Sequence, residues 1–389
     1  MRPDFDAITD RRSQHSTKWS AVKNLTTDSG KPVIPLWIAD MEFRSPPEVI
    51  GALHRVLEQG ILGYTDYPAE FTDAFCRWQS SRHRWEISRE WVVPCQSVIT
   101  ALDVAIRCLS EPGDEILVLS PGFGTFRRVI QHTGRRVVQV PLTQEERFYS
   151  LDLSRLAKTL TTRTRMLILC NPHNPIGKVW RADELRKIGG FCQQHNLLLL
   201  SDDVHQDLIL GDTPYTPLAG ISGEFADFTL TFTSPGKTFN LAGLQAANVI
   251  IKNDDIRKKV RENLYQLSAH KPNMLALHAT DAAYRHGEAW LDALLDYLKG
   301  NLAYLDTELK TFAHVDLFRV QGSFLAWLDF RKTGLSQPEL EHKLLHQAGL
   351  LADSGVNFGH GGEGFMRVNF AMPRSELEVV VRRLRVGFE

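Results

Sequence analysis

Phe228-Thr229-Leu230-Thr231-Phe232-Thr233, followed at once by Ser234-Pro235-Gly236-Lys237-Thr238-Phe239-Asn240-Leu241-Ala242-Gly243-Leu244, is an apolar run that empties into a turn of small residues. The run reads as a buried strand, and the turn as the place where the strand end delivers a lysine. A lysine so placed loses solvent and can lie near other cationic centres. Both effects favour the neutral, nucleophilic amine needed to condense with an aldehyde. Taken alone, Ser-x-x-Lys more often marks an ordinary surface lysine, because short motifs recur by chance. The rest of the chain has to decide.

Outward from this run, short apolar segments alternate with helical patterns between residues 92 and 251. The strand candidates are Glu115 to Ser120, Arg136 to Val140, Arg165 to Cys170, Leu197 to Ser201, Phe228 to Thr233 and Ala246 to Ile251. Helices are predicted over Ser97 to Leu109, Gly124 to His132, Ser154 to Leu160 and Arg181 to His195. This alternation predicts an α/β fold, a mostly parallel sheet covered by helices in three α/β/α layers. From Asn273 to Leu309 the pattern is long and helical. Short strands are then expected near Leu317 to Val320, Phe324 to Leu328 and Phe365 to Phe370. The division expected is a large domain over 46–285 and a smaller α+β domain made of 1–45 with 286–389.

The 389 residues are 43% hydrophobic and 23% charged, with a formal net charge of -1. Such a balance argues against a general nucleic-acid binder, which needs clustered excess Lys and Arg. No window of eighteen apolar residues exists, and the N-terminal stretch with Asp4, Asp6, Asp10, Arg11 and Arg12 lacks the apolar centre of a signal peptide. The expectation is a cytoplasmic protein without a membrane partner. The five cysteines (Cys76, Cys95, Cys108, Cys170 and Cys192) contain no C-x-x-C pair, so neither a disulfide framework nor a metal site is expected.

Ligands of such sheets bind beyond the carboxyl ends of the strands, and the polar clusters of this chain fall there. Asn171-Pro172-His173-Asn174-Pro175-Ile176-Gly177 carries two Asn-Pro steps that impose an extended, turning backbone. Asn174 either donates to a phenolate oxygen of a bound ring or only shapes the loop. Asp202, in Ser201-Asp202-Asp203-Val204-His205, ends an all-leucine strand, where a carboxylate is costly unless it meets a cation or several donors. A pyridinium N–H is such a partner, and a helix cap for the next segment is the alternative. His205 can reach the same ring. Gln96-Ser97-Val98-Ile99 opens a helix whose free N–H groups suit a phosphate, with Ser97 and Ser234 as hydroxyl donors. Ser97 also serves as a plain N-cap. Phe123, in Ser120-Pro121-Gly122-Phe123, stacks on a flat heterocycle or belongs to the core. Arg367 sits inside the apolar run Phe365 to Phe370, and a buried guanidinium needs an anion that its fork can grip at two points. A substrate carboxylate there makes the substrate an amino acid; a structural salt bridge is the other account.

In this order, the motifs resemble the fold-type I pyridoxal-phosphate enzymes of the class I/II aminotransferase superfamily across nearly the whole chain. Within it, the chain looks most like the MalY/PatB type of carbon-sulfur β-lyases, often called cystathionine β-lyases. The narrower resemblance rests on Pro35-Leu36-Trp37-Ile38-Ala39-Asp40-Met41-Glu42-Phe43, Gly63-Tyr64-Thr65, Ser97-Val98-Ile99, Ser201 to His205 and Ser234 to Leu244. The resemblance implies Lys237 as the Schiff-base lysine, Asp202 on the pyridinium nitrogen, and Asn174 with His205 beside the ring oxygen. It further implies Ser97, Val98 and Ser234 on the phosphate, and Arg367 on the substrate carboxylate. Tyr64 matches a tyrosine sent across a dimer interface to the neighbour's phosphate, which implies a homodimer with shared sites. Two departures stand out. Phe123 replaces a tyrosine whose hydroxyl assists proton transfer, and Gln245 stands where many aminotransferases have a phosphate-binding arginine. Gly122 and Gly124 beside Phe123 are expected to make room for a bulkier substrate.

The expected activity is α,β-elimination of L-cystathionine or a related L-cysteine S-conjugate, yielding a thiol, pyruvate and ammonia. The rival is an aminotransferase, which shares every step up to the carbanion. A ligand sensor without catalysis is a third class; such sensors typically carry a fused helix-turn-helix module, for which the stretch before Pro35 is too short.

Overall fold

The structure, a computed structural model, describes residues 3–389. Seven strands form the central sheet: β1 Val92–Cys95, β2 Glu115–Ser120, β3 Arg136–Pro141, β4 Thr164–Cys170, β5 Leu198–Asp202, β6 Thr229–Thr233 and β7 Ala247–Ile251. Their spatial order is β1-β7-β6-β5-β4-β2-β3. β2, β3, β4, β5 and β6 pair in parallel, and β7 alone runs against its neighbours β6 and β1. The α/β class read from the sequence is therefore the class of the molecule.

Sequence dictates this sheet because both of its faces are covered. Ile116 and Val118 of β2 pack into one hydrophobic cluster, while Leu117 and Leu119 pack into another on the opposite face. Met166 and Ile168 against Leu167 and Leu169 divide β4 in the same way. Strands buried on both sides read as continuous apolar runs rather than alternating ones. Helices α1 Pro47–Glu58 and α2 Ala69–His83 pack against the later helix Met274–His286, whereas α3 Val98–Leu109, α4 Gly124–His132, α5 Ala182–Gln194 and α6 Asp254–Gln266 cover the sheet. Ser97 starts α3 by accepting a hydrogen bond from Thr100 N–H at 3.1 Å, a cap that stabilises a helix by about 1 kcal/mol.

The long helical stretch is two helices, α7 Met274–His286 and α8 Glu288–Leu309, divided at Gly287. A Cβ at that position would run into Ala283 O and the Phe239 ring. A four-stranded antiparallel sheet follows, with β8 Asp316–Leu317, β9 Leu325–Asp329, β10 Asp353–Ser354 and β11 Phe365–Asn369 in the order β8-β9-β11-β10. The strand expected over Leu317 to Val320 stops at Leu317: Phe318 N–H still reaches Trp327 O at 3.0 Å, but Arg319 N–H turns to Arg147 O at 3.0 Å and Gln321 N–H to Gly177 O at 2.8 Å. The chain ends on α9 Arg374–Phe388. Ile34 and Pro35 pair in parallel with Leu350 and Leu351 in a separate two-stranded sheet, and Asn369 N–H, at the end of β11, bonds Leu36 O at 2.9 Å, which ties the N-terminal segment to the four-stranded sheet. No helix among the described residues is long and apolar enough to cross a membrane.

Candidate active site

A cavity of about 650 Å³ opens where the carboxyl ends of the central strands meet the smaller sheet, the place where ligands bind in open α/β sheets. Lys237, Asp202, His205, Asn174, Phe123 and Arg367 all line it, although the sequence spreads them over 245 positions, from 123 to 367. Different parts of the chain carry them there. β5 ends on Asp202, the loop after β4 holds Asn174, and β11 holds Arg367. The helical turn Pro235–Thr238 after β6 carries Lys237.

Lys237 donates its Nζ to Ala39 O at 2.6 Å. Burial, then repulsion from Arg367, pulls the ammonium down to about 8, against the opposing pull of Asp40 and Asp202. The amine is thus neutral over a pH range in which a surface lysine is not. Asp202 accepts one hydrogen bond, from Val204 N–H at 3.3 Å, and is otherwise open to the cavity. Burial pushes its carboxyl up to about 7, so it is short of a positive partner. His205 goes the other way, down to about 3, through burial and the nearby Lys237 and Arg367 charges. It is a neutral imidazole, and its Nδ1 has no hydrogen-bond partner among the described residues. Asp203 points elsewhere, accepting from Ser201 Oγ at 2.6 Å and from the Tyr215 hydroxyl.

Arg367 is buried and engaged on three sides. Its Nη1 donates to Asn174 Oδ1 at 3.0 Å, and its Nη2 to Trp37 O at 2.6 Å and to Asp353 Oδ2 at 2.8 Å. The guanidinium also lies 4.8 Å from the Phe358 ring centre, and its Nε has no partner. Asp353 is the acid of a structural salt bridge to this arginine, and the guanidinium lines the cavity with a buried Nε that has no partner among the described residues. The bond from Arg367 also fixes the Asn174 amide, since only its oxygen can accept, and leaves the amide N–H groups for another acceptor.

Several residues of this site carried no clear signal in the sequence. Asp353 stands directly across from Arg367 in the pairing of β10 with β11. Trp37, Ile38 and Ala39 form a wall of the cavity. Asn240 clasps that N-terminal segment to the lysine turn, accepting from Met41 N–H at 3.0 Å and donating to Met41 O and Phe43 O at 3.0 and 2.9 Å. Behind the turn, buried Asp207 accepts from Thr238 Oγ1 at 2.7 Å, Trp78 Nε1 at 2.9 Å and His83 Nε2 at 2.9 Å. The quoted block Pro35 to Phe43 was the available hint for the wall; the others depend on pairings made only in the fold.

Four expected residues lie outside the cavity lining. Ser97 caps α3, Val98 is buried at the helix start, and Ser234 accepts from Gly236 N–H at 3.0 Å while donating to Ala246 O at 2.7 Å. Tyr64 is fully exposed. One expectation is corrected. Gly122 and Gly124 do not open space for substrate, because a Cβ at 122 would strike Leu119 O and one at 124 would strike Asn357 O. They permit close backbone approach. Among the described residues, no group of three or more His, Cys, Asp or Glu is disposed to hold a metal ion.

A depressed-pKa amine, a raised-pKa carboxylate with an open oxygen, a fixed amide donor and an aromatic ring in one cavity suit a flat, protonated heterocycle bearing an aldehyde and an oxygen. Comparison with known proteins agrees. Residues 31–384 match the family Aminotransferase class I and II, and the chain belongs to that family. It is 36% identical to cystathionine beta-lyase PatB of Bacillus subtilis (strain 168), over 99% of both chains. The fold superposes on a PLP-bound putative aminotransferase from Clostridium difficile 630 with a TM-score of 0.96 and 34% identity, covering 100% of both chains. It superposes on cystalysin from Treponema denticola, which contains a pyridoxal 5'-phosphate cofactor, with a TM-score of 0.95 and 32% identity over 100% of this chain and 99% of that one.

Proposed function

We propose that this protein is a pyridoxal-phosphate-dependent carbon-sulfur β-lyase that cleaves L-cystathionine or a related L-cysteine S-conjugate to a thiol, pyruvate and ammonia. The observation that carries the reading is the single cavity holding the Lys237 amine, the Asp202 carboxylate and the Arg367 guanidinium. The family membership and the similarity to PatB and cystalysin support it.

Pyridoxal phosphate, when bound, supplies an aldehyde for amines and a ring that accepts electron density. Lys237 provides the amine that holds it, and Asp202 keeps the ring nitrogen protonated, gaining the positive partner it lacks. The amide N–H of Asn174 and the imidazole of His205, which line the same cavity, would serve the ring oxygen, and Phe123 would supply a stacking ring. Ser97, Val98 and Ser234 are assigned to the phosphate. Arg367 takes the α-carboxylate of the substrate. With the substrate bound, the Lys237 amine would take the Cα proton as general base, a task suited to a desolvated amine with a pKa of about 8. The Cα–H electron pair becomes a Cα=Cβ bond as the Cβ–S pair leaves on sulfur, and water hydrolyses the released 2-aminoacrylate to pyruvate and ammonia.

Tyr64 and the neighbouring exposed Ile61 and Leu62 support a homodimer in which this segment reaches the second subunit's site. The domain division of 46–285 against 1–45 with 286–389 is proposed to set the two walls of the cavity. Five unpaired cysteines support a cytoplasmic location.

Aminotransferase chemistry is the second reading, favoured by Phe123, which offers no hydroxyl for proton transfer. Incubation of the holoenzyme with L-cystathionine and with common amino-acid donors separates the two. The expected result is thiol and pyruvate in equal amounts. No thiol and no pyruvate, with the amino group left on the cofactor, sinks the lyase reading.

A further inference from the structure

Arg127 and Arg128, near the start of α4, line the same cavity as Lys237 and Arg367. Arg127 donates to Asn357 O at 2.7 Å and to Gln139 Oε1 at 3.4 Å, and Arg128 donates to Thr125 Oγ1 at 2.8 Å. Every one of these acceptors is neutral. Asp353, which lines the same cavity, is engaged by Arg367 at 2.8 Å and by the Asn357 amide at 2.9 Å. Burial, then repulsion from Arg128, lowers the pKa of Arg127, and no acid acts in the other direction. The first turn of α4 adds the positive end of a helix to the same spot.

Arg127, half-buried, and Arg128, exposed, meet no acid among the described residues and so present two unpaired guanidiniums to an anion at the mouth of the cavity. The cofactor phosphate is not that anion at its assigned place. Ser234 follows β6 and Gln139 lies on β3, four strand positions away in the sheet, or roughly 19 Å at about 4.8 Å per strand. The α-carboxylate of the substrate already has Arg367, the more deeply buried arginine.

We propose that Arg127 and Arg128 form a second anion subsite, and that the preferred substrates are L-cysteine S-conjugates whose departing thiol carries a carboxylate. This rests on the β-lyase reading above. Arg367 then holds the α-carboxylate and the α4 pair holds the distal one, so that a substrate with two acidic ends spans the cavity while a neutral side chain leaves the pair unmatched.

The test compares S-(2-carboxyethyl)-L-cysteine with its neutral amide, S-(2-carbamoylethyl)-L-cysteine, on the holoenzyme by kcat/KM for pyruvate release. The carboxylate is expected to be favoured on the order of tenfold, the value of a charge-assisted contact. That preference disappears in the double variant Arg127→Gln, Arg128→Gln and largely survives in Arg127→Lys, Arg128→Lys. The readout is a ratio on one enzyme preparation, so partial loss of folding or cofactor cancels. An absent preference in the unaltered enzyme, or one unchanged in the Gln variant, overturns the subsite. Absence of pyruvate from both conjugates defeats the lyase reading instead. The subsite is then judged by calorimetric binding of glutarate, which the Gln variant weakens tenfold if the subsite exists and leaves unchanged if it does not.

Discussion

At the floor of the cavity Arg367 faces Asp353, and Lys237 feels both Asp202 and Asp40, whereas at the rim Arg127 and Arg128 meet only neutral oxygens. At the floor Asp202 and Arg367 are buried and Arg367 is held by three hydrogen bonds, while Asp202 and Lys237 make one each; the rim is half-buried at Arg127 and exposed at Arg128. Balanced charges in a low-dielectric setting hold one geometry, whatever the side chain of the substrate. Unbalanced ones reserve their interaction for whatever anion arrives, and so discriminate between substrates. Chemistry shared across a family belongs on the first kind of surface and selectivity on the second.

The largest expected effect tests the floor. Lys237→Ala should lower pyruvate release on the order of 10⁴-fold, and borohydride should no longer fix cofactor to the peptide containing residue 237. A variant within tenfold of the parent would remove this lysine from the chemistry.

Next comes the support behind the floor. Asp207→Ala strands His83, Thr238 and Trp78 donors in the interior and should cost about 3–5 kcal/mol in urea unfolding. Arg128→Ala at the rim should stay within about 0.5 kcal/mol. Equal losses at both positions would erase the contrast between a fixed floor and an adaptable rim.

The pH dependence of the floor amine is a smaller but sharper measure. In the cofactor-free protein, modification of Lys237 by a small aldehyde should rise about tenfold per pH unit and level off near pH 8. The sign for stability follows from the same depression: the ammonium is disfavoured in the fold below about 8, and this cost is relieved as pH climbs from there toward the unfolded value of 10.5. A labelling profile still climbing at pH 10 would mean that Lys237 is an ordinary solvated lysine.

The smallest effect is expected where floor and rim join. Phe123→Tyr keeps the ring and adds a hydroxyl, so cofactor affinity should change by less than about 0.5 kcal/mol, read from the absorbance of the Lys237-bound cofactor on titration. Loss of that absorbance would show that the ring packs differently, and a gain in elimination rate would assign the missing hydroxyl a role.

How much of this was legible in the chain differs by element. β2 was read to the residue, since a strand buried on both faces is one apolar run between turn residues. β1 was not read as a strand, because its four residues include Pro94 and it pairs only with the reversed β7. Lys237, Asp202 and Asn174 could be picked out because each follows a strand end, and parallel strands bring their carboxyl ends together. Asp353 could not, because it meets Arg367 only through the β10 and β11 register, nor could Ala39, which meets Lys237 across 198 positions of chain. Gly122 and Gly124 were misjudged for the same reason: the atoms that exclude a side chain there are backbone oxygens, one of them from Asn357.

By itself the chain determined which residue types stand at the ends of buried strands, and with that the α/β class and a candidate for the reactive amine, since periodicity and turn chemistry are local. Only the tertiary structure decided which charges are answered and which are left over. Desolvation and pairing depend on what packs against a group from distant parts of the chain, and that is what separates the Lys237 amine from a surface lysine and the α4 arginines from a structural salt bridge.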